Sequence, residues 1–132
     1  MAEDILKKII KKKIEKIEKL KSNLSLENLQ ESIDKNKIYL DFKSKIQSNI
    51  INGKYSIIAE IKKASPSGGI IVKNYDPVEI ANVYDKNNAT CLSVLTEEDF
   101  FLGNLTHISD IKKKISLPIP VSYTHLTLPT SR

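Results

Sequence analysis

The sequence predicts an α/β fold built on parallel strands, and three observations carry that prediction. Residues 56–59 (Ser-Ile-Ile-Ala) and 89–95 are short apolar runs set between turn residues, the mark of strands buried in a sheet. Between them, residues 76–86 change to helical spacing, and a second helical stretch precedes a third strand start at Leu117-Pro118-Ile119. Strand, helix, strand, helix, strand start is the order of βαβ units, whose crossovers make neighbouring strands parallel. The pattern alone fits a doubly wound sheet or a barrel. No GxGxxG follows the first strand, which argues against the dinucleotide-binding version.

Taken in order, residues 4–21 place Ile5, Leu6, Ile9, Ile10, Ile14, Ile17 and Leu20 at intervals of three and four. This is an amphipathic helix with Asp4 as N-cap and Lys19 and Lys21 suiting its C-terminal end. Its apolar stripe is expected to pack on a larger body while the lysines stay solvated. Ser25 caps a short helix bearing Leu26, Leu29 and Ile33. Residues 34–37 read as a turn and 38–51 as a further helix with Leu40, Phe42 and Ile46 inward, stopped by Asn52-Gly53.

The first strand runs through Glu60-Ile61-Lys62 and breaks at Ser65-Pro66-Ser67-Gly68-Gly69. Strand side chains alternate, so Glu60 and Lys62 share a face. Two opposite charges at the end of an apolar strand would be costly in a packed core and make sense at the mouth of a site. Such a pair is otherwise a surface ion pair of little energetic weight. The following loop offers hydroxyls and glycine N–H groups suited to an anion, or else it is a plain turn. Asp76 then caps a helix with Pro77 at its first position and Ile80, Val83 and Tyr84 inward, ended by Asn87-Asn88. The second strand holds Cys91 as a core residue; residues 96–103 form a loop with three acids and two phenylalanines. Asn104 caps a last helix carrying Leu105, Ile108, Ile111 and Ile115.

Composition narrows the function. The 132 residues fit one domain, with 40% hydrophobic and 28% charged residues. The formal charge is +5, but residues 1–21 hold eight lysines against four acids, so the remainder is almost neutral. Only one arginine, Arg132, and no tryptophan are present, which speaks against a nucleic-acid partner. No apolar run approaches the ~18 residues of a membrane span, and the lysines through residues 5–20 exclude a signal peptide there. One cysteine cannot form an internal disulfide, so a cytoplasmic protein is expected. His107 has no metal-ligand spacing around it, and no metal site is expected.

The stretch Ala59-Glu60-Ile61-Lys62-Lys63-Ala64-Ser65-Pro66-Ser67-Gly68-Gly69 closely resembles the first-strand signature of indole-3-glycerol phosphate synthase. The resemblance continues through Asp76-Pro77-Val78-Glu79-Ile80-Ala81 and through Leu92-Ser93-Val94-Leu95-Thr96-Glu97-Glu98-Asp99-Phe100-Phe101-Leu102-Gly103. It implies a (β/α)8 TIM barrel, of which this chain would hold the first two to three β/α units. An N-terminal helical extension (1–54) would precede the barrel start (55–120), since a whole barrel takes roughly 250 residues.

The same resemblance implies a lyase of tryptophan biosynthesis. Its substrate is the phosphorylated, carboxylated 1-(2-carboxyphenylamino)-1-deoxyribulose 5-phosphate, and ring closure is followed by loss of CO₂ and water without a cofactor. Glu60 and Lys62 match the family's catalytic pair on that strand: Lys62 would bind and polarise the anionic substrate, and Glu60 would position the cations. Ser65 would help hold the substrate carboxylate, Pro66 would shape the wall, and Phe101, rather than Phe100, would stack on the aromatic ring. Fusion to or association with neighbouring pathway enzymes leaves no mark in this sequence.

Residues 121–132 depart from the pattern. Residues 122–132 contain no lysine or acid, yet hold three of the six threonines and the sole arginine. The family's third-strand Leu-x-Lys-Asp-Phe-like segment, with its general-acid lysine, is replaced by Val121-Ser122-Tyr123-Thr124-His125. These residues resemble translated adapter sequence, so the native frame is expected to end near Pro120, His125 carries no role, and this polypeptide alone is expected to be inactive and unstable. Two rival functions stay open: another phosphate-binding barrel enzyme such as phosphoribosylanthranilate isomerase, and a non-enzymatic module pairing through the lysine-rich helix.

Overall fold

A computed structural model describes residues 4–33 and 39–120. The element order is α1 (Ile5–Asn23), α2 (Leu26–Glu31), α3 (Phe42–Ile51), β1 (Ile58–Ile61), β2 (Ala64–Ser65), β3 (Gly69–Ile70), α4 (Pro77–Lys86), β4 (Cys91–Val94) and α5 (Thr106–Lys112). The chain falls into two compact units divided between residues 38 and 39. The expected turn at residues 34–37 and the tail 121–132 lie outside the described residues.

In the first unit, the Asp4 carboxylate accepts from the Leu6 N–H at 3.0 Å and opens α1, as the sequence predicts. Ser25 opens α2 by accepting from the Asn28 N–H at 3.1 Å. No side chain of either helix is buried, and Leu6 and Leu20 are 60% and 55% exposed. Within this unit, nothing among the described residues buries the apolar stripe of α1. A six-residue α2 is too small to cover it.

In the second unit, β1 and β4 pair in parallel, with Ile58 beside Cys91 and Glu60 beside Ser93. The crossover between them contains α4, so the predicted βαβ unit is present. Paired parallel residues face the same side. Ala59, Ile61, Leu92 and Val94 form one face, and they bury against Ala81 of α4 and Ile111 of α5, with Ala89, Ile115 and Leu117 completing the core. Asp76 caps α4 by accepting from the Val78 and Glu79 N–H groups at 3.0 and 3.1 Å, and Pro77 stands in its first turn. Asn88 leaves that helix at φ +65°, and Gly53 leaves α3 at φ +64°.

Several expectations are corrected in detail. β1 is buried on one face only: Ile58, on the side it shares with Glu60, is 50% exposed, while Ala59 and Ile61 on the other side are buried. Around Ala81, α4 is rotated so that Val78, Ile80 and Tyr84 pack inward while Val83 is 51% exposed. α3 begins only at Phe42, capped by Asp41, which leaves Leu40 outside it and 50% exposed. Leu105 precedes α5 and is 69% exposed; the Asn104 side chain does accept from the Thr106 N–H at 2.9 Å. Residues 117–120 form no strand. The Pro118 carbonyl accepts one bond from the Leu92 N–H at 2.9 Å, but Pro118 and Pro120 have no N–H with which to extend a ladder.

The strands start at a tied edge. Thr90, 3% exposed, accepts from the Ile57 N–H at 2.9 Å and from Asn49 Nδ2 of α3 at 3.3 Å. Asn49 also donates to Ser56 Oγ at 3.1 Å, so α3 is fastened where both strands begin. The opposite edge, where both strands end, is left to loops.

Candidate active site

Because β1 and β4 are parallel neighbours, the chain leaves both strands at the same edge of the sheet, and the Leu95 N–H donates to the Ile61 carbonyl there at 3.0 Å. Loops at that edge carry function in α/β folds because the scaffold behind them is fixed while their sequence is free to vary. Glu60 lies on β1 and Lys62 just beyond it. Lys62 Nζ stands 2.9 Å from Glu60 Oε1, with side chains 34% and 46% exposed respectively. The alternation of the strand brings the two charges together as expected, on the face of β1 that carries the half-exposed Ile58. The Glu60 carbonyl is held from behind, where Tyr84 of α4 donates its hydroxyl at 2.9 Å.

Ser65 and Pro66 follow at once, but not in an open loop. Residues 64–70 form a tight antiparallel hairpin in which Ala64 faces Ile70 and Ser65 faces Gly69. Ser65 Oγ accepts from the Gly68 N–H at 3.0 Å, so this glycine N–H is not free for an anion, contrary to the expectation for the loop. The serine hydroxyl keeps its own hydrogen to donate. Gly69 takes φ +62°, which a side chain would resist.

Phe101 stands in the loop after β4, half-buried. That loop is organised by a residue the sequence reading did not single out. Glu97 is only 7% exposed; its Oε1 accepts from the Asp99 N–H at 3.0 Å, and its Oε2 accepts from the Phe100 and Phe101 N–H groups at 2.6 and 3.0 Å. Its carbonyl accepts from the Gly103 N–H at 2.7 Å. The available signal was an acid directly behind a buried strand end, followed by a short turn closing on glycine. Tyr84 gave no such signal, since its bond to Glu60 spans 24 residues of sequence.

Tyr75 and His107 meet edge to face, ring centroids 5.7 Å apart, and burial pushes the Tyr75 phenol up to about 12. Burial likewise raises the Cys91 thiol, which is fully enclosed. Among the described residues, no group of three His, Cys, Asp or Glu side chains is placed to hold a metal ion. Also among them, no helix is long and apolar enough to cross a membrane. Two clefts of about 530 and 520 Å³ lie elsewhere, one lined by Asp76, Glu79 and Lys114, the other by Lys45, Asn49 and Thr90. Neither includes Glu60 or Lys62, whose side chains are 46% and 34% exposed.

Comparison with known proteins adds a family. The sequence model of the family described as indole-3-glycerol phosphate synthase matches residues 6–122. A protein named indole-3-glycerol phosphate synthase from Desulforamulus reducens is 42% identical over 115 residues, which cover 87% of this chain and 42% of the relative. A protein of the same name from Sulfurimonas denitrificans is 41% identical over 122 residues, covering 87% of this chain and 44% of the relative. One from Priestia megaterium is 52% identical over 68 residues, covering 52% of this chain and 27% of the relative. The chain thus spans less than half the length of the relatives it matches.

Proposed function

The chain belongs to the indole-3-glycerol phosphate synthase family, and on that premise we propose that the strand-end edge of its sheet is part of the site for that ring closure. The fold is then read as the opening β/α units of a (β/α)8 barrel, in which active sites lie at the C-terminal ends of the strands. The observation that carries the reading is the Lys62–Glu60 pair, 2.9 Å apart at that end of β1.

The substrate in this reading is 1-(2-carboxyphenylamino)-1-deoxyribulose 5-phosphate. A bond forms between the ring carbon bearing the carboxylate and the sugar carbonyl carbon. CO₂ leaves that ring carbon and restores the aromatic ring; the former carbonyl oxygen, protonated to a hydroxyl and again on leaving, departs as water while the adjacent nitrogen-bearing CH₂ carbon gives up a proton and the indole double bond forms. Negative charge is present at the carboxylate and the phosphate, and it develops on the carbonyl oxygen as the bond forms. Lys62 supplies a cation for this charge, and Glu60 fixes where the ammonium points. Ser65 donates its hydroxyl hydrogen to the carboxylate while the Gly68 N–H holds its oxygen in place. Pro66 walls the carboxylate side, and Phe101 stacks on the aromatic ring. Stacking of this kind contributes about 0.5–1.5 kcal/mol beyond area burial.

The test is a hybrid synthase in which residues 6–120 of this chain replace the matching stretch of the Desulforamulus reducens relative. Indole fluorescence reports turnover. Formation of indole-3-glycerol phosphate is expected, and an inactive hybrid that nonetheless folds overturns the reading.

A further inference from the structure

We propose that Glu97 is the positioning residue for the aromatic wall of this site, holding Phe101 through its main chain; the inference rests on the functional reading above. Its carboxylate accepts three main-chain N–H groups from consecutive residues, and the last of them is that of Phe101 itself, at 3.0 Å. A nearly buried carboxylate is costly unless its oxygens are filled, and charge-assisted bonds of this kind are about twice as strong as neutral ones. The same residue closes the loop a second time, because its carbonyl accepts from the Gly103 N–H at 2.7 Å.

Two backbone features hold the loop close to the end of β4. Leu102 is held at φ +53°, and a Cβ on Gly103 would stand 2.1 Å from the Leu95 carbonyl oxygen. Residues 99–103 are thus wrapped around one side chain and pressed against the end of β4. Leu95, at that end, is 2% exposed and bonded to Ile61 of the neighbouring strand, one residue from Glu60. The base of the Phe101 ring is therefore fixed relative to the strand that carries the ion pair. A ring fixed in advance loses little freedom when a flat substrate stacks on it, which favours binding rather than the chemical step.

A neutral glutamine offers one accepting oxygen where the carboxylate offers two, and it turns an NH₂ toward an N–H. Glu97→Gln, Glu97→Ala and Phe101→Ala in the hybrid synthase are each expected to raise KM about five- to tenfold with kcat within about twofold. The decisive readout is the double variant Glu97→Ala/Phe101→Ala, expected to be no worse than Phe101→Ala alone, because both remove the same stacked ring. Thermal unfolding of each variant identifies any that fail to fold, and Glu97→Gln keeps the shape of the side chain if Glu97→Ala does not. Additive losses in the double variant, or an unchanged KM in a folded Glu97→Gln, overturn the inference and leave the functional reading standing. A folded parent hybrid without turnover overturns both.

Discussion

The Tyr84 hydroxyl donates to the main-chain carbonyl of Glu60 at 2.9 Å, so the crossover helix grips β1 at the residue that meets Lys62. The two ends of this relationship lie on different layers: the tyrosine belongs to the helix side of the sheet, the carboxylate to the open side. Replacing Tyr84 by Phe removes one neutral hydrogen bond and little else. In the hybrid synthase it is expected to lower stability by about 1 kcal/mol, read as a shift of the urea midpoint. No change in the midpoint would show that the carbonyl is equally satisfied by water.

Glu60 and Lys62 are expected to separate activity from stability. Their side chains are 46% and 34% exposed, and an ion pair so open is worth about 0–1 kcal/mol to folding. Glu60→Gln and Lys62→Met in the hybrid should leave the urea midpoint almost unmoved while lowering kcat/KM about 100-fold or more. Turnover that survives both changes would remove them from the reaction.

The 132-residue chain by itself is expected to form no measurable indole-3-glycerol phosphate and to melt without a cooperative transition. Its ion pair is partly exposed, with the Glu60 and Lys62 side chains 46% and 34% open, so solvent screens the interaction. The face it occupies also leaves Ile58 half exposed, so one side of the sheet is unpacked. Fluorescence turnover or a sharp calorimetric peak from the chain alone would contradict this.

Gly103→Ala should be among the most damaging single changes in the loop. The added Cβ meets only main-chain atoms: the Leu95 oxygen at 2.1 Å, the Leu95 carbon at 2.8 Å and Thr96 Cα at 2.9 Å. None of these can turn aside as a side-chain tip can. A loss of about 3 kcal/mol in the hybrid is expected by urea unfolding, with Gly68→Ala milder because its nearest contact is the Ser65 hydroxyl.

Tyr75 gives the chain an alkaline limit. Burial raises its phenol from 10.0 to about 12 in the folded state, so between those values the unfolded chain releases the proton first. The unfolded state then binds fewer protons, and stability falls as pH rises through that window. Tyr75→Phe should remove its share of that fall. Thermal midpoints of the parent hybrid and its Tyr75→Phe variant between pH 9.5 and pH 12, roughly the span set by the two values, measure the difference. Parallel curves would show that Tyr75 ionises freely.

What the sequence determined by itself was local and periodic. The caps at Asp4, Ser25 and Asp76, the stops at Gly53 and Asn88, and the two strands joined through a helix all follow from interactions within a few residues. So does the meeting of Glu60 and Lys62, because residues two apart on a strand must share a face. The family was legible in the same way, from an ordered run of residues. Tertiary structure decided what depends on partners distant in sequence. Which side of α4 faces inward was set by the small Ala81 fitting against the sheet, which turned Val83 outward. That Thr90 ties α3 to the strand starts, and that Tyr84 reaches Glu60, required the layers to be stacked first. The buried role of Glu97 needed the loop to close, since a carboxylate in a sequence carries no sign of whether water or its own main chain will fill its oxygens.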